Sequence, residues 1–308
     1  MRPGNVLRSW LACLLLLTAC QGPPAAPGDA RDTQTGAGRP ADAVRELTAH
    51  LRNNDLQAFA RDAVPPALHI ELEQAWQRGQ TRWPLEELPL SPQHPRALAA
   101  LSAEQAEVEL MRSFDRQFRG ASGDLRKTVQ SLGIFAVQFV QQRSGYSDSE
   151  RQHFGQLLTT LSRWAAGAPL TDRKRAQAAL ALLIPAARQV RLDSDAAFAE
   201  AGMDESLRRM GGMVAATKQA IALYGLDLDA SLADMQVQML SQTGDLAKVR
   251  MRYSVAGSPI DTVVPVQRYE GRWYVADFVD NARAAVAAAQ GATPPAPATP
   301  GVPVRAAP

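Results

Sequence analysis

The chain has 308 residues, with 33 lysines and arginines against 31 aspartates and glutamates, so its formal charge is only +2. A balance this even offers no electrostatic footprint for nucleic acid or for an anionic membrane surface. The two cysteines, Cys13 and Cys20, both fall near the N-terminus, which excludes a disulfide framework, a cysteine metal site and a thiol nucleophile in the rest of the chain.

Arg2 and Arg8 precede an apolar run from Leu11 to Ala19, which is shorter than the ~20 residues a helix needs to cross a bilayer. A basic lead, a short apolar stretch and small residues before the break make residues 1–19 a secretory signal peptide. Leu17-Thr18-Ala19-Cys20 resembles the lipobox of bacterial lipoproteins. The resemblance implies cleavage before Cys20 and acylation of its thiol and new amino group, palmitate being the kind of chain expected. With Gln21 next, where an aspartate would hold the protein at the inner membrane in enteric-type bacteria, it implies outer-membrane anchoring on the periplasmic face. Loss of Arg2 and Arg8 from the 33 basic residues would leave 31 against 31 acidic ones.

Residues 20–40 hold almost nothing that packs and read as a flexible tether, whose reach is roughly 25 Å. Residues 290–308 form an Ala/Pro-rich tail of the same kind. Between them lie about 250 residues, enough for a core without disulfides.

Residues 41–200 read as a helical region. Val44, Leu47 and Leu51 share a face, "NND" interrupts, and Leu56, Phe59 and Ala63 resume before Pro65-Pro66. Leu68, Leu72 and Trp76 mark the next helix, and "WPLEELPLSPQHP" a loop held by Trp83, Leu85 and Leu88. Ser102 and Gln105 have the spacing of a capping box ahead of Val108, Met111, Phe114 and Phe118. Asp124 opens a helix expected to turn Leu125, Val129, Leu132, Phe135 and Phe139 inward. Ser147 and Glu150 repeat the capping-box spacing before Phe154, Leu157, Leu158, Leu161 and Trp164. Thr171 is the expected cap of a helix with Leu180, Leu183, Ile184 and Ala187, which Pro185 should kink or end.

Residues 201–289 change character. Met203, Leu207, Met210, Val214, Thr217, Ile221 and Tyr224 make one stripe along a long helix, with Gly225 as its stop. Thereafter Met235, Val237 and Met239 alternate with glutamines, and Val249, Met251, Tyr253 and Val255 with Lys248, Arg250, Arg252 and Ser254, as in two strands with one buried face. Turns at "GSP" and Glu270-Gly271 add strands from Thr262 to Tyr269 and through "RWYVADF", and Ala282–Ala289 closes with a short helix. The fold class expected is α+β, predominantly helical: a helical body, then a long helix packed on a four-stranded antiparallel meander.

This helix-plus-meander, ending in "VPVQRYEGRWYVADF", resembles the closing half of cystatin-like domains of the nuclear-transport-factor type, and "ADAVRELTAHLRNNDLQAFA" is similar to their first helices. The likeness covers about a third of the chain. It implies a sheet curled about a pocket, here Met235, Met239, Met251, Tyr253 and Trp273, where an apolar or lipidic ligand could sit; the same residues could equally pack as core beneath the long helix.

Patterns that carry catalysis are missing. His50, His69, His94 and His153 stand alone, without H-E-x-x-H or H-x-H spacing, so no metal and no other cofactor is expected. "GASGD" near Gly120 joins two helices and is no nucleophile elbow. The close acid pairs Glu71/Glu73, Glu86/Glu87, Asp193/Asp195 and Asp204/Glu205 sit on polar faces, in loops or in first turns, where acids are common; a cell-wall hydrolase would need two of them to meet in a cleft. Lys248, Arg250 and Arg252, with Arg268 and Arg272 near them, make a candidate basic face, either for an anionic partner or as a solvated guard of a sheet edge. The leading expectation is a non-enzymatic lipoprotein working through an envelope protein partner.

Overall fold

The computed structural model describes residues 35–87, 94–118, 122–142 and 146–291, and in them helix follows helix up to residue 233 before a single antiparallel sheet. Helix α1 (Pro40–Arg52) begins with proline in its first turn, where the missing N–H costs nothing. Asp55 caps α2 (Leu56–Ala63) by accepting from the Ala58 N–H at 2.9 Å, and α3 (Pro66–Gln77) again starts on proline. Helices α4 (His94–Ser102) and α5 (Ala106–Phe118) follow, so Ser102 ends a helix instead of capping the next.

Helix α6 (Ser122–Gln142) forms an antiparallel hairpin with α7 (Asp148–Gly167). Both halves of the Ser147/Glu150 capping box are present. Helix α8 (Arg173–Val190) is capped by Asp172, one residue beyond the expected Thr171, and runs on through Pro185. Helix α9 (Asp195–Ala222) is interrupted at Gly202, whose φ of 76° suits a residue without Cβ. A short α10 (Leu228–Ala233) leads into the sheet.

The strands β1 (Gln236–Thr243), β2 (Leu246–Val255), β3 (Ser258–Tyr269) and β4 (Arg272–Val275) lie in the order β1-β2-β3-β4. The β2–β3 and β3–β4 turns each place two successive residues at positive φ, Ala256-Gly257 and Glu270-Gly271, the pattern that matches strand twist. The fourth strand is shorter than expected. "ADF" already belongs to α11 (Ala276–Ala289), because an alanine-rich stretch with Asp277 in its first turn favours helix over strand.

One face of the sheet is buried on β2 as the alternation predicts, at Ala247, Val249, Met251 and Val255, and on β3 at Ile260, Thr262 and Val266. The expected buried face of β1 is not found, since no residue of that outer strand is buried and Met239 is exposed. Its cover, however, differs from expectation. Helix α1 lies across all four strands, assisted by α7, α10 and α11, whereas α9 packs chiefly on α2, α3 and α8. The stripe of α9 is a packing seam, but its partners are helices. One core runs from Ala37 to Val286 and includes Val44, Leu47, Trp76, Leu207, Val249 and Trp273, so residues from both sides of position 200 share it. A smaller cluster at Leu226, Val255 and Ile260 is roofed by Leu157, Leu161 and Trp164 of α7.

Two long-range devices close the body. The Lys218 ammonium donates to the carbonyls of Leu51 (2.6 Å) and Arg52 (3.1 Å) and pairs with Asp229, satisfying acceptors at the end of α1 that have no partner within the helix. Ala37 exchanges two backbone hydrogen bonds with Trp273 (3.0 and 2.8 Å), so residues 35–37 of the expected tether pair with β4 and cover that edge of the sheet.

Candidate functional site

The five residues of the expected pocket share the buried side of the sheet or its approach, but α1 occupies the space. Met251 and Trp273 belong to the core, Met235 and Tyr253 are partly buried against it, and Met239 is exposed beyond the cover. Tyr253 shares a 2.7 Å hydrogen bond with His153. Beside β1 is a small cleft of about 150 Å³ lined by Arg45, Thr48, Arg52, Leu232, Met235 and Val237; small-molecule sites usually measure ~300 Å³ or more.

The basic face is largely answered from within. Arg250 makes a bidentate pair with Asp261 (2.8 and 2.5 Å), and this pairing holds the Asp261 carboxyl below its ordinary range. Arg268 pairs with Asp245 at 2.6 Å. The β3–β4 register sets Arg268 beside Trp273 and Tyr269 beside Arg272, so Arg268 and Arg272 lie on opposite faces, because successive strand residues alternate. Arg272 donates twice to the Gly36 carbonyl. Lys248 and Arg252 are exposed, and two cations on one strand are a solvated face rather than a cluster.

The largest departure from expectation is on α6. Leu132, Ile134, Phe135 and Phe139 are 59, 65, 66 and 50% exposed. Leu132, Phe135 and Phe139 therefore do not face inward. Among the described elements α6 has extensive contact with α7 alone, and one neighbour can cover only one face. The buried face is that of Gly133 and Val140, since a Cβ on Gly133 would lie 2.2 Å from Ser162 Oγ and the glycine permits the close approach. Leu125, Val129 and Val137 are partly buried, while Leu132, Ile134 and Phe135 are left largely exposed. Scattered exposed apolar residues are ordinary, but Leu132 and Phe135 lie one turn apart on one side of one helix, the kind of patch that marks an interaction surface.

Two acids from different close pairs do meet, at a histidine. His69 and Glu73 stand four residues apart on α3, with His69 Nδ1 3.8 Å from Glu73 Oε1. Asp204, just after the Gly202 break in α9, brings Oδ1 to 3.9 Å from His69 Nε2. The H-x-x-x-E spacing was visible in the sequence as a same-face pair, but nothing there pointed to Asp204. Leu88, "GASGD" up to Ala121, Cys20 and the tail lie outside the described residues, as do the side chains of Glu87, His94 and Asp124.

A second buried polar group joins α7 to α11. Ser149 donates to Asp277 at 3.0 Å and Asn281 to Glu150 at 3.0 Å. Burial, with Glu150 nearby, pushes the Asp277 carboxyl up to about 6, and burial pulls the His153 imidazole down to about 4.

No known protein-family profile matches the chain, and no curated protein or solved structure matches it significantly. No helix among the described residues is long and apolar enough to cross a membrane.

Proposed function

We propose that this chain is a non-enzymatic lipoprotein, acylated at Cys20 and held at the periplasmic face of the outer membrane, that acts in envelope assembly or maintenance by docking a partner protein on the outer side of α6. The observation that carries the docking surface is the exposed pair Leu132 and Phe135, one turn apart on a helix with one extensive neighbour among the described elements. Support for the anchor is the Leu17-Thr18-Ala19-Cys20 sequence that follows the apolar run. The resemblance to cystatin-like domains is supported by a first helix lying across an antiparallel meander, an arrangement that hosts binders and enzymes alike. An apolar ligand in the sheet is the weaker reading, since α1 fills the place where it would sit.

The test is a photo-crosslinking residue introduced at Phe135 in living cells, with the buried Val140 position as control. One discrete protein adduct from position 135, lost in the Cys20→Ala chain, is the expected result. Equal patterns from both positions, or none, would remove the α6 surface from the proposal.

A further inference from the structure

We infer that His69, Glu73 and Asp204 form a binding site for one divalent cation of the zinc class, spanning α3 and α9. One ligand atom from each residue lies within 4.8 Å of the others. What points to a ligand is the state of two of those atoms. His69 Nε2 and Asp204 Oδ1 are both shielded from solvent and have no hydrogen-bond partner among the described residues, although they face one another at 3.9 Å. That separation is too long for a hydrogen bond. It is close to what two ligands span when each sits ~2.0–2.2 Å from a shared ion.

The surroundings are arranged to suit. Gln57 Nε2 donates to the other oxygen of Asp204 at 3.1 Å, which leaves Oδ1 turned toward the imidazole in the way an outer-shell partner orients a ligand. Neither Glu73 nor Asp204 forms an ion pair with Lys or Arg among the described residues; their one such partner is His69. Arg61, whose guanidinium feels the charge of Asp204, is already engaged by Asp62. Two carboxylates therefore share the site without a Lys or Arg ion pair among the described residues. A mixed imidazole and carboxylate set favours zinc-like ions over magnesium, which prefers oxygen and keeps its waters. The imidazole is the sheltered member, its side chain 13% exposed, while Glu73 at 37% and Asp204 at 47% leave an entry path and room for water in the remaining coordination positions.

The experiment is a calorimetric titration of the detergent-purified full chain with zinc chloride, with magnesium chloride as control, paired with thermal melts. One equivalent of zinc is expected to bind and raise the melting temperature, with no response to magnesium. His69→Gln and Asp204→Asn should each weaken zinc binding by at least about tenfold, the smallest loss that even an outer-shell change causes, while the metal-free melting temperature of Asp204→Asn stays at the wild-type value. Should His69→Gln fail to fold, Asp204→Asn and Glu73→Gln, at half-exposed positions, carry the comparison. No binding up to millimolar zinc, or binding that these variants leave unchanged, overturns the site.

Discussion

Asp277 in the first turn of α11 is held against the start of α7, His153 in the second turn of α7 is held against Tyr253 of β2, and burial moves the two in opposite senses. Asp277 is raised to about 6, so its contribution to stability is fully present below the unfolded value near 3.8 and is lost as the pH rises through 6. His153 is lowered to about 4, so its contribution is present above 6.5 and is lost as the pH falls through 4. Across pH 4 to 6.5 the two therefore offset one another, each on the order of 3 kcal/mol. Asp277→Asn should steepen the loss of stability on acidification relative to wild type and leave the protein more stable at pH 7. His153→Gln should do the reverse, gaining on wild type as the pH falls. Urea midpoints at pH 4.5 and 7 decide the point, and parallel pH profiles for wild type and both variants would show that neither group is displaced. Gly211 is a second sensitive position. Alanine normally favours a helix, but a Cβ here would lie 2.4 Å from the Asn54 carbonyl oxygen. Gly211→Ala should therefore destabilise by roughly 1–3 kcal/mol, the usual cost of overpacking, as a lowered urea midpoint.

The α6–α7 hairpin separates two kinds of apolar residue that look alike in a sequence. Val140 is buried against α7, while Phe135 is exposed. Val140→Glu should lower the melting temperature by several degrees or unravel the hairpin. Phe135→Ser should change stability by no more than about 0.5 kcal/mol, as surface substitutions do. Similar losses in both would mean that α6 is covered in solution. The inward assignment of Leu132, Phe135 and Phe139 failed because periodicity reports that a face is apolar and is silent on whether anything lies against it. Gly133, which decides the packed face, carries no hydropathy signal at all. Local signals fared better. The Ser147/Glu150 box, the Glu270-Gly271 turn and the strand alternation from Ala247 to Val255 each depend on residues a few positions apart, and all were legible.

At the scale of the molecule, the α+β class, the antiparallel meander and its position after the helical body were legible, and the choice of helix that covers the sheet was not. Val44 and Leu47 on α1 and the stripe on α9 are both apolar faces of amphipathic helices. Only the three-dimensional arrangement shows that the first meets the sheet and the second meets α2, α3 and α8. The same limit hid the cation site: half of it was a spacing on one helix, and the other half arrived from α9. Charge on a polar helix face is usually solvated, and Asp204 differs only in what it faces.

The cover that α1 gives the sheet has a consequence for the order in which the chain can fold. Synthesis runs from the N-terminus, so α1 is made early and its apolar face must wait for strands that end at Val275. Its terminal carbonyls wait as well, for Lys218. Contacts between residues far apart in the sequence are slow to form and leave apolar surface open meanwhile. A chain ended at Asp234 should therefore bind hydrophobic dye and melt without cooperativity, although most of its helices have been made. A sharp melt from that fragment would show that the helices close on their own. Otherwise the nascent protein has no finished core to shelter it until Val275 has been made, and whatever carries it during synthesis must hold it open for that long.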